Sequence, residues 1–335
     1  MDRFIRALIQ WQAVDPPVPA RTLTVDQVRR RYAESAEHTR RGAPEPVAAV
    51  TDQPIDGVDG RFGVRTYRPI IDRSRLVTYL HGGGWTVGDI DTHDAVCRRI
   101  AVALGAVVVS VDYRRAPEHP YPGPLHDGIA AAEWAAGAFP GREHVIAGDS
   151  AGAGLAVGVA LHQRDHGDVD FSAQLLVYPP ADPEMKSPSI RIYGSGYLTD
   201  IDDLRWYYEQ YVQDPRRSTD PAIDLLRADL HGMPPTVIGT AEFDPLHDEG
   251  VELAGRLAAA GVTVEHVEGP GLVHGYLLLA DVVPAAAEAA TAVLDALERT
   301  LKTEAEPHPA PMVQDAGTYD ADALADIARV AATST

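Results

Sequence analysis

One serine stands at a turn that could make it a nucleophile. Residues 144–147 form a short apolar segment, Gly148-Asp149-Ser150-Ala151-Gly152 follows, and small residues predict a helix directly afterwards. A serine between a strand and a helix is held in a strained turn that lifts its hydroxyl above the sheet, and the flanking glycines leave room for that turn. The pattern predicts that Ser150 is a nucleophile.

A glycine run could stabilise the negative charge that such an attack creates. His81-Gly82-Gly83-Gly84-Trp85 follows the strand-like residues 76–80. An oxyanion needs two or three N–H donors without obstructing side chains, so we expect the donors to be the backbone N–H groups of Gly83, Gly84 and Ala151. His81 is interpreted as a residue that orients the loop, and Trp85 as part of the pocket wall.

A base and an acid are expected downstream, in the order serine, acid, histidine. Of thirteen histidines, His274 follows a late strand and lies in a Gly-rich loop, at the sheet end where Ser150 is expected. Asp244 follows the strand-like residues 236–238 and precedes a proline, which is typical of a strand-to-helix junction. Order and elimination favour Asp244 over its rivals Asp248 and Glu242.

The elements that must position these residues alternate between strands and helices from about residue 61. About seven strands are expected, and helices are predicted at residues 127–138 and 246–260, the second ending at Gly261. This alternation predicts an α/β fold with a doubly wound, mostly parallel sheet. The predicted strands are residues 61–68, 76–80, 107–111, 144–147, 174–177, 236–238 and 262–267.

Three regions fall outside the alternation. Residues 1–45 contain two candidate helices, at 4–11 and 25–38, and residues 183–215 are rich in Tyr, Ser, Gly and Pro. We expect the first region and this insertion to form a cap over residues 46–302, the catalytic domain. Residues 303–335 are either a flexible tail or, through Leu324, Ile327 and Val330, a short docking helix.

Composition excludes several classes of function. With 49 acidic and 29 basic residues the formal net charge is −20, which would repel phosphate backbones, so nucleic acid is not an expected partner. No apolar stretch is long enough for stable membrane insertion, and residues 1–17 lack the features of a signal peptide. The single cysteine, Cys97, is interpreted as a buried structural residue. The sequence predicts a soluble, cytoplasmic protein.

Taken together, the motifs resemble those of the hormone-sensitive-lipase-like family of bacterial esterases, over about residues 60–300. They are HGGGW from His81, DYRRAPEHPYP from Asp112, GDSAG from Gly148, FDPLHDEG from Phe243, and the late His274-Gly275. The resemblance implies an α/β-hydrolase fold with a helical cap, and hydrolysis of short to medium acyl esters of small molecules without cofactor or metal. It also implies that Glu118 supports the site without reacting.

Alternatives stay open at this point. An amide hydrolase of the N-deacetylase or arylformamidase type would use the same nucleophile, base and acid, and a non-catalytic receptor is a third interpretation, against which the presence of His274 argues. Trp85, Tyr197 and Trp206 are candidates for substrate contact. An uncovered edge strand after residue 262 would allow two subunits to pair as a homodimer.

Overall fold

The computed structural model describes residues 1–14 and 16–305, with side chains up to Lys302. Within this part of the chain, eight strands form one sheet. They are β1 (Ala49–Gly57), β2 (Gly60–Arg68), β3 (Arg75–Leu80), β4 (Ala106–Asp112), β5 (Glu143–Asp149), β6 (Ala173–Val177), β7 (Thr236–Phe243) and β8 (Val264–Val273). Their order is β1-β2-β4-β3-β5-β6-β7-β8; β1 pairs antiparallel with β2 and β2 with β4, and all other pairs are parallel.

Helices cover both faces of this sheet. The helices of the described residues are α1 (Arg3–Val14), α2 (Val25–Thr39), α3 (Asp94–Leu104), α4 (Gly123–Ala138), α5 (Ala151–His166), α6 (Pro188–Tyr193), α7 (Ile201–Tyr211), α8 (His247–Ala259) and α9 (Pro284–Ala305). Side chains of α4, α5 and α8 form one core with the sheet, and those of α3 and α9 form the other. The predicted doubly wound α/β fold is therefore confirmed.

Strand β3 illustrates why these residues form a buried strand. All six are buried, and alternate side chains serve the two cores: Leu76 and Leu80 join one, Val77 and Tyr79 the other. A parallel strand that is covered on both faces reads as a continuous apolar run rather than as an alternation of apolar and polar residues. The same reasoning explains β4, whose sequence is AVVVSVD.

Strands β1, β7 and β8 depart most from the prediction, and β7 extends to Phe243 rather than ending at residue 238. The prediction omitted β1, which lies at the sheet edge and contains Pro54 and Gly57; an edge strand tolerates proline because one side of its backbone needs no partner. The last predicted strand ended at residue 267, whereas β8 continues to Val273. Gly269 and Gly271 interrupt the strand-like pattern, and an irregular register between β7 and β8 accommodates this part of the strand.

The parallel arrangement gathers the carboxyl ends of β3, β5, β7 and β8 at one edge of the sheet. The glycine run, the serine turn, Asp244 and His274 each directly follow one of these four ends. Ligands bind at this edge in open α/β sheets. The topology thus brings residues from four distant parts of the sequence to one place.

Helical segments from the N-terminal region and from the insertion pack together beside this edge. Val28 of α2 and Trp206 of α7 form a small apolar cluster with Ala20 and Val87, the last of which follows the glycine run. Helix α9 reaches Ala305, so the backbone is helical over the first residues of the predicted tail. The helix predicted around residues 324–330 lies outside the described residues.

Candidate active site

Ser150 occupies a strained turn between β5 and α5. Its backbone angles are φ 51° and ψ −126°, which a residue with a side chain rarely adopts. The turn also requires the two neighbouring glycines: a Cβ at Gly148 would lie 2.4 Å from the carbonyl carbon of Gly152, and one at Gly152 would lie 2.0 Å from the carbonyl oxygen of Leu80. The G-x-S-x-G pattern therefore has a steric cause in this fold.

The hydroxyl of Ser150 begins a chain of two hydrogen bonds. Ser150 Oγ lies 2.8 Å from His274 Nε2, and His274 Nδ1 lies 2.8 Å from Asp244 Oδ2. The other carboxylate oxygen of Asp244 accepts a hydrogen bond from the backbone N–H of Leu246 at 2.8 Å, and Asp244 is fully buried. With Nδ1 donating to the carboxylate, Nε2 is left to accept the serine proton.

Burial and charge act in opposite directions on His274. Burial alone would lower the pKa of the imidazole, but the adjacent Asp244 carboxylate, with a smaller contribution from Asp149, outweighs burial and raises the pKa above its usual value. The imidazolium that forms when a proton moves from Ser150 is thus stabilised where it arises.

The two rival carboxylates have other partners. Asp248 accepts a hydrogen bond from the backbone N–H of Ser189 at 2.9 Å and lies 2.8 Å from His247 Nδ1. Glu242 accepts one from the backbone N–H of Gly271 at 2.7 Å. Of the three candidates, only Asp244 has a described hydrogen bond to His274.

The glycine run forms a tight turn after β3. The carbonyl of Gly83 accepts hydrogen bonds from the N–H groups of Thr86 at 3.1 Å and Val87 at 2.9 Å. Within the described residues, the N–H groups of Gly83 and Gly84 have no acceptor, and Ala151, as the first residue of α5, has none within its helix. The three predicted donors are therefore free to receive an oxygen atom.

His81 supports this turn from below. Its ring stacks on Tyr113 at 4.1 Å between centroids, and its Nδ1 donates to the carbonyl of Gly82 at 2.8 Å. Burial lowers the pKa of His81 to about 3, so the ring is neutral at physiological pH. These contacts agree with the interpretation of His81 as an orienting residue.

Asp149 is a buried hub that the sequence reasoning did not single out. Its carboxylate accepts hydrogen bonds from the backbone N–H of Gly82 at 2.9 Å and the hydroxyl of Tyr79 at 2.7 Å, and it lies 3.4 Å from His93 Nε2. Burial opposes its ionisation, but these groups, led by His93, lower the pKa of the Asp149 carboxyl below its usual value. The carboxylate thus ties the glycine run to the residue before the nucleophile.

Tyr178 is a second residue that the motifs did not reveal. It follows β6 with φ 40°, and its ring lies 4.7 Å from that of His274. Its hydroxyl lies 3.4 Å from Asp149. Tyr178 therefore contacts the ring of His274 and, through its hydroxyl, the carboxylate of Asp149.

The predicted pocket aromatics lie in three different environments. Trp85 stacks on Tyr211 of α7 at 4.4 Å and contacts Tyr208 edge-on at 4.9 Å, so it belongs to an aromatic wall beside the glycine run. Tyr197 is parallel to Phe243, the residue before Asp244, at 5.9 Å. Trp206 packs into the small apolar cluster between α2 and α7. Contact of Trp85, Tyr197 and Trp206 with substrate stays a prediction.

The single cysteine lies in α3 and has no described hydrogen bond to Ser150, His274 or Asp244. Cys97 is buried, and burial raises the pKa of its thiol to about 12. Among the described residues, no group of three or more His, Cys, Asp or Glu side chains is arranged to hold a metal ion. Over the same residues, none of the helices combines the length and the apolar character needed to cross a bilayer.

Comparisons with known proteins show which family this chain is similar to. The model of the α/β-hydrolase-fold family matches residues 77–278. The chain is 44% identical over 267 residues to the carboxylesterase NlhH of Mycobacterium tuberculosis, covering 73% of this chain and 81% of that relative. It is 39% identical over 310 residues to the esterase LipI of the same organism, covering 86% and 96%.

A solved structure is similar over most of its length. The hyperthermophilic esterase from Pyrobaculum calidifontis superposes with a TM-score of 0.84 at 34% identity, covering 89% of this chain and 98% of that one. This agreement, together with the family match and the two relatives, confirms the resemblance that the motifs indicate. The chain belongs to the α/β-hydrolase-fold family, among its hormone-sensitive-lipase-like esterases.

Proposed function

We propose that this chain is a serine carboxylester hydrolase that cleaves short to medium acyl esters through an acyl-enzyme on Ser150. The observation that carries the proposal is the chain of two 2.8 Å hydrogen bonds from Ser150 through His274 to Asp244, beside unoccupied N–H donors. Nucleophile, base and orienting acid within hydrogen-bond distance are what acyl transfer requires. The names of the relatives, carboxylesterase and esterase, support the same reaction.

Acylation begins when Ser150 Oγ attacks the ester carbonyl carbon. His274 Nε2 takes the hydroxyl proton, the carbonyl π electrons move to oxygen, and the N–H groups of Gly83, Gly84 and Ala151 bind the resulting oxyanion. Asp244 stabilises the imidazolium without taking its proton. Collapse of the tetrahedral intermediate breaks the bond to the alcohol oxygen, which leaves with the proton from His274.

Deacylation repeats these steps with water. His274 takes a proton from a water molecule as its oxygen attacks the acyl carbon of the Ser150 ester. The oxyanion binds to the same N–H groups, and the acid product leaves as Ser150 recovers its proton from His274. The net reaction converts one ester and one water into an acid and an alcohol.

The N-terminal region, residues 1–45, and the insertion, residues 183–215, would form a cap over a catalytic domain of residues 46–302. The packing of Val28 and Trp206 around Val87 supports this assignment. An aromatic wall that includes Trp85 would face small-molecule substrates. A cytoplasmic location, a homodimer paired through the edge strand β8 and the exclusion of nucleic acid stay predictions.

The test compares ester and amide substrates on purified protein. We expect faster turnover of nitrophenyl acetate, butyrate and octanoate than of N-formyl and N-acetyl arylamines, and a loss on the order of a millionfold in Ser150→Ala. Ser218→Ala is the matched control, because Ser218 bonds to the Pro215 carbonyl in a turn outside the site. Faster amide cleavage would favour the amide hydrolase, and full ester turnover in Ser150→Ala would overturn the proposal.

A further inference from the structure

One side chain of the N-terminal region contacts the loop that follows the glycine run. Arg29 of α2 donates through Nε to the carbonyl of Thr86 at 2.9 Å and through Nη2 to the carbonyl of Ala116 at 2.9 Å. It also binds both oxygens of Glu118, at 2.8 and 2.6 Å. A planar guanidinium with fixed donors can satisfy carbonyl and carboxylate acceptors together in this manner.

The carbonyl of Thr86 belongs to the turn that presents the free N–H groups. The N–H of Thr86 donates to the carbonyl of Gly83 at 3.1 Å, and its hydroxyl donates to the carbonyl of Gly84 at 3.0 Å. The first bond restrains the Gly83–Gly84 peptide, which carries the Gly84 N–H, and the second restrains the Gly84–Trp85 peptide. The second acceptor, Ala116, is joined to the same loop, because its N–H donates to the carbonyl of Trp85 at 2.9 Å.

Packing holds α2 in the position that these contacts require. Val28, which precedes Arg29, is buried against Val87, and Tyr32 packs on the same cluster one helical turn later. The side chain of Arg29 is 21% exposed; its bonds to the carbonyls of Thr86 and Ala116 are partly buried, and those to Glu118 are exposed. Glycine peptides have no side chains of their own to restrict them, so such an external contact is needed to hold the turn.

We propose that Arg29 is a positioning residue of the active site: it fixes the turn of residues 83–87 so that the N–H group of Gly84 points at the developing oxyanion. The inference rests on the proposed function and deepens it. It gives Glu118 a physical role as well, since the carboxylate orients the guanidinium rather than reacting. The N-terminal region then contributes to turnover and not only to covering the site.

The experiment measures turnover of nitrophenyl butyrate by Arg29→Met, which has a side chain of similar length and no donors. We expect kcat to fall by about 10- to 100-fold, as small misplacements of catalytic groups do, while KM changes by less than about threefold. Affinity for a trifluoromethyl ketone, which forms an oxyanion on the serine, is expected to fall in proportion to kcat/KM. The kcat of Arg29→Lys is expected to lie between those of the wild type and Arg29→Met, because an ammonium cannot contact all three acceptors at once.

The matched control is Arg21→Met. Arg21 also joins the N-terminal region to the rest of the chain, through an exposed ion pair with Glu209 of α7 at 3.0 Å, but it has no described contact with the glycine turn. Its kcat is expected to be unchanged. Titration with a phosphonate and thermal melting verify that each variant is folded, and Glu118→Gln, expected to lower kcat less, replaces Arg29→Met if that variant does not fold.

The outcomes separate this inference from the proposed function. A folded Arg29→Met with unaltered kcat and ketone affinity, beside an inactive Ser150→Ala, overturns the positioning role alone. An equal loss in Arg21→Met also overturns it, because the effect would then belong to attachment of the N-terminal region in general. Full activity in Ser150→Ala overturns both proposals.

Discussion

The imidazole of His274 lies between a hydroxyl and a carboxylate, and its protonation sets the lower pH limit of activity. The base must be neutral to accept a proton, and Asp244 raises its pKa above the usual 6.5 despite burial. We therefore expect kcat/KM to fall with decreasing pH along a limb whose midpoint lies above 6.5. A pH profile of ester hydrolysis measures this midpoint, and one at or below 6.5 would contradict the electrostatic argument.

Replacing Asp244 should change both kcat and the acid limb of the pH profile. Asp244→Asn removes the charge that raises the pKa and leaves the burial that lowers it, so the acid limb is expected to move to lower pH. The plateau of kcat should fall by about 10⁴-fold, because the amide no longer selects the productive tautomer. Steady-state kinetics across pH measure both changes.

Asp248→Asn is the control for that substitution. Asp248 accepts a hydrogen bond from the backbone of Ser189 and has no described contact with His274. Its loss is expected to change kcat by less than about tenfold and stability by about 1 kcal/mol. A larger loss of kcat in Asp248→Asn than in Asp244→Asn would show that Asp248, and not Asp244, orients His274.

For single residues, the predictions from sequence depended on local pattern and on the order of residues along the chain. Ser150 and the glycine run each lie within a few residues of the features that identify them, whereas Asp244 needed the order of the three groups. Asp149 and Arg29 act through residues far away in sequence, such as Gly82 and Thr86. A single sequence carries no signal for such pairs, because their proximity is created by the packing of elements.

At the scale of elements, a histidine couples the start of α8 to β8. His247 lies 3.2 Å from Glu268 of β8 and 2.8 Å from Asp248, and the hydrogen bond to Glu268, aided by Asp248, raises the pKa of His247 to about 9. His266 lies 3.9 Å from the same glutamate and is the other titratable group that faces it. The contact is strongest when His247 carries a proton.

The stability that His247 contributes should depend on pH. Its folded pKa of about 9 exceeds the unfolded value, so the contribution is complete below pH ~6.5 and is lost as pH rises through about 9. Thermal melts of wild type and His247→Gln should differ most at the acid end and converge at the alkaline end. His231→Gln, at an exposed histidine, controls for the substitution, and a difference that grows with pH would contradict the assignment.

Helices and strands could be predicted where the periodicity of apolar residues and the length of the segment indicate the same type of element. Helix α8 ends at the position that Gly261 indicates, and that glycine has φ +84°. Helix α4 begins at Gly123 rather than at residue 127, because Pro124 is accommodated in the first turn, where no N–H donor is needed. Strand boundaries were less accurate, since the edge pairing of β1 depends on a partner that the local sequence does not contain.

At the scale of the whole molecule, an arginine joins the last helix to the sheet. Arg75, at the start of β3, bonds to Glu143 at 2.9 Å and also to Glu298 of α9, and it is 8% exposed. These contacts lie at the end of β3 opposite to the glycine run. They should therefore affect stability without affecting catalysis.

Arg75→Met is expected to lower the free energy of unfolding by about 2 kcal/mol, less than for a fully buried pair because both glutamates stay partly exposed. The kcat for ester hydrolysis should be unchanged. Lys302→Met, which removes an exposed ion pair with the same Glu298, is the control and should cost less than about 0.5 kcal/mol. Urea denaturation measures both variants, and equal losses would contradict the role of burial.

The sheet and its covering helices could be predicted from the alternation of strand-like and helix-like segments, because each strand and the helix after it are local units. The position of the N-terminal helices and the insertion did not follow, since it depends on contacts such as that of Val28 with Val87. Family membership could be inferred because five motifs occur in the expected order. The residues that pack around the substrate lie between those motifs.

Helix α5 has one more consequence. Its first eleven residues are all buried, and it presents no polar face to solvent until its last turn. A helix enclosed in this way cannot open by itself, so the amide hydrogens that are hydrogen-bonded within it should exchange with the solvent only when the entire fold opens. Ser150 directly precedes this helix. Heat should therefore inactivate the nucleophile at the rate of global unfolding, with no earlier loss through local fraying.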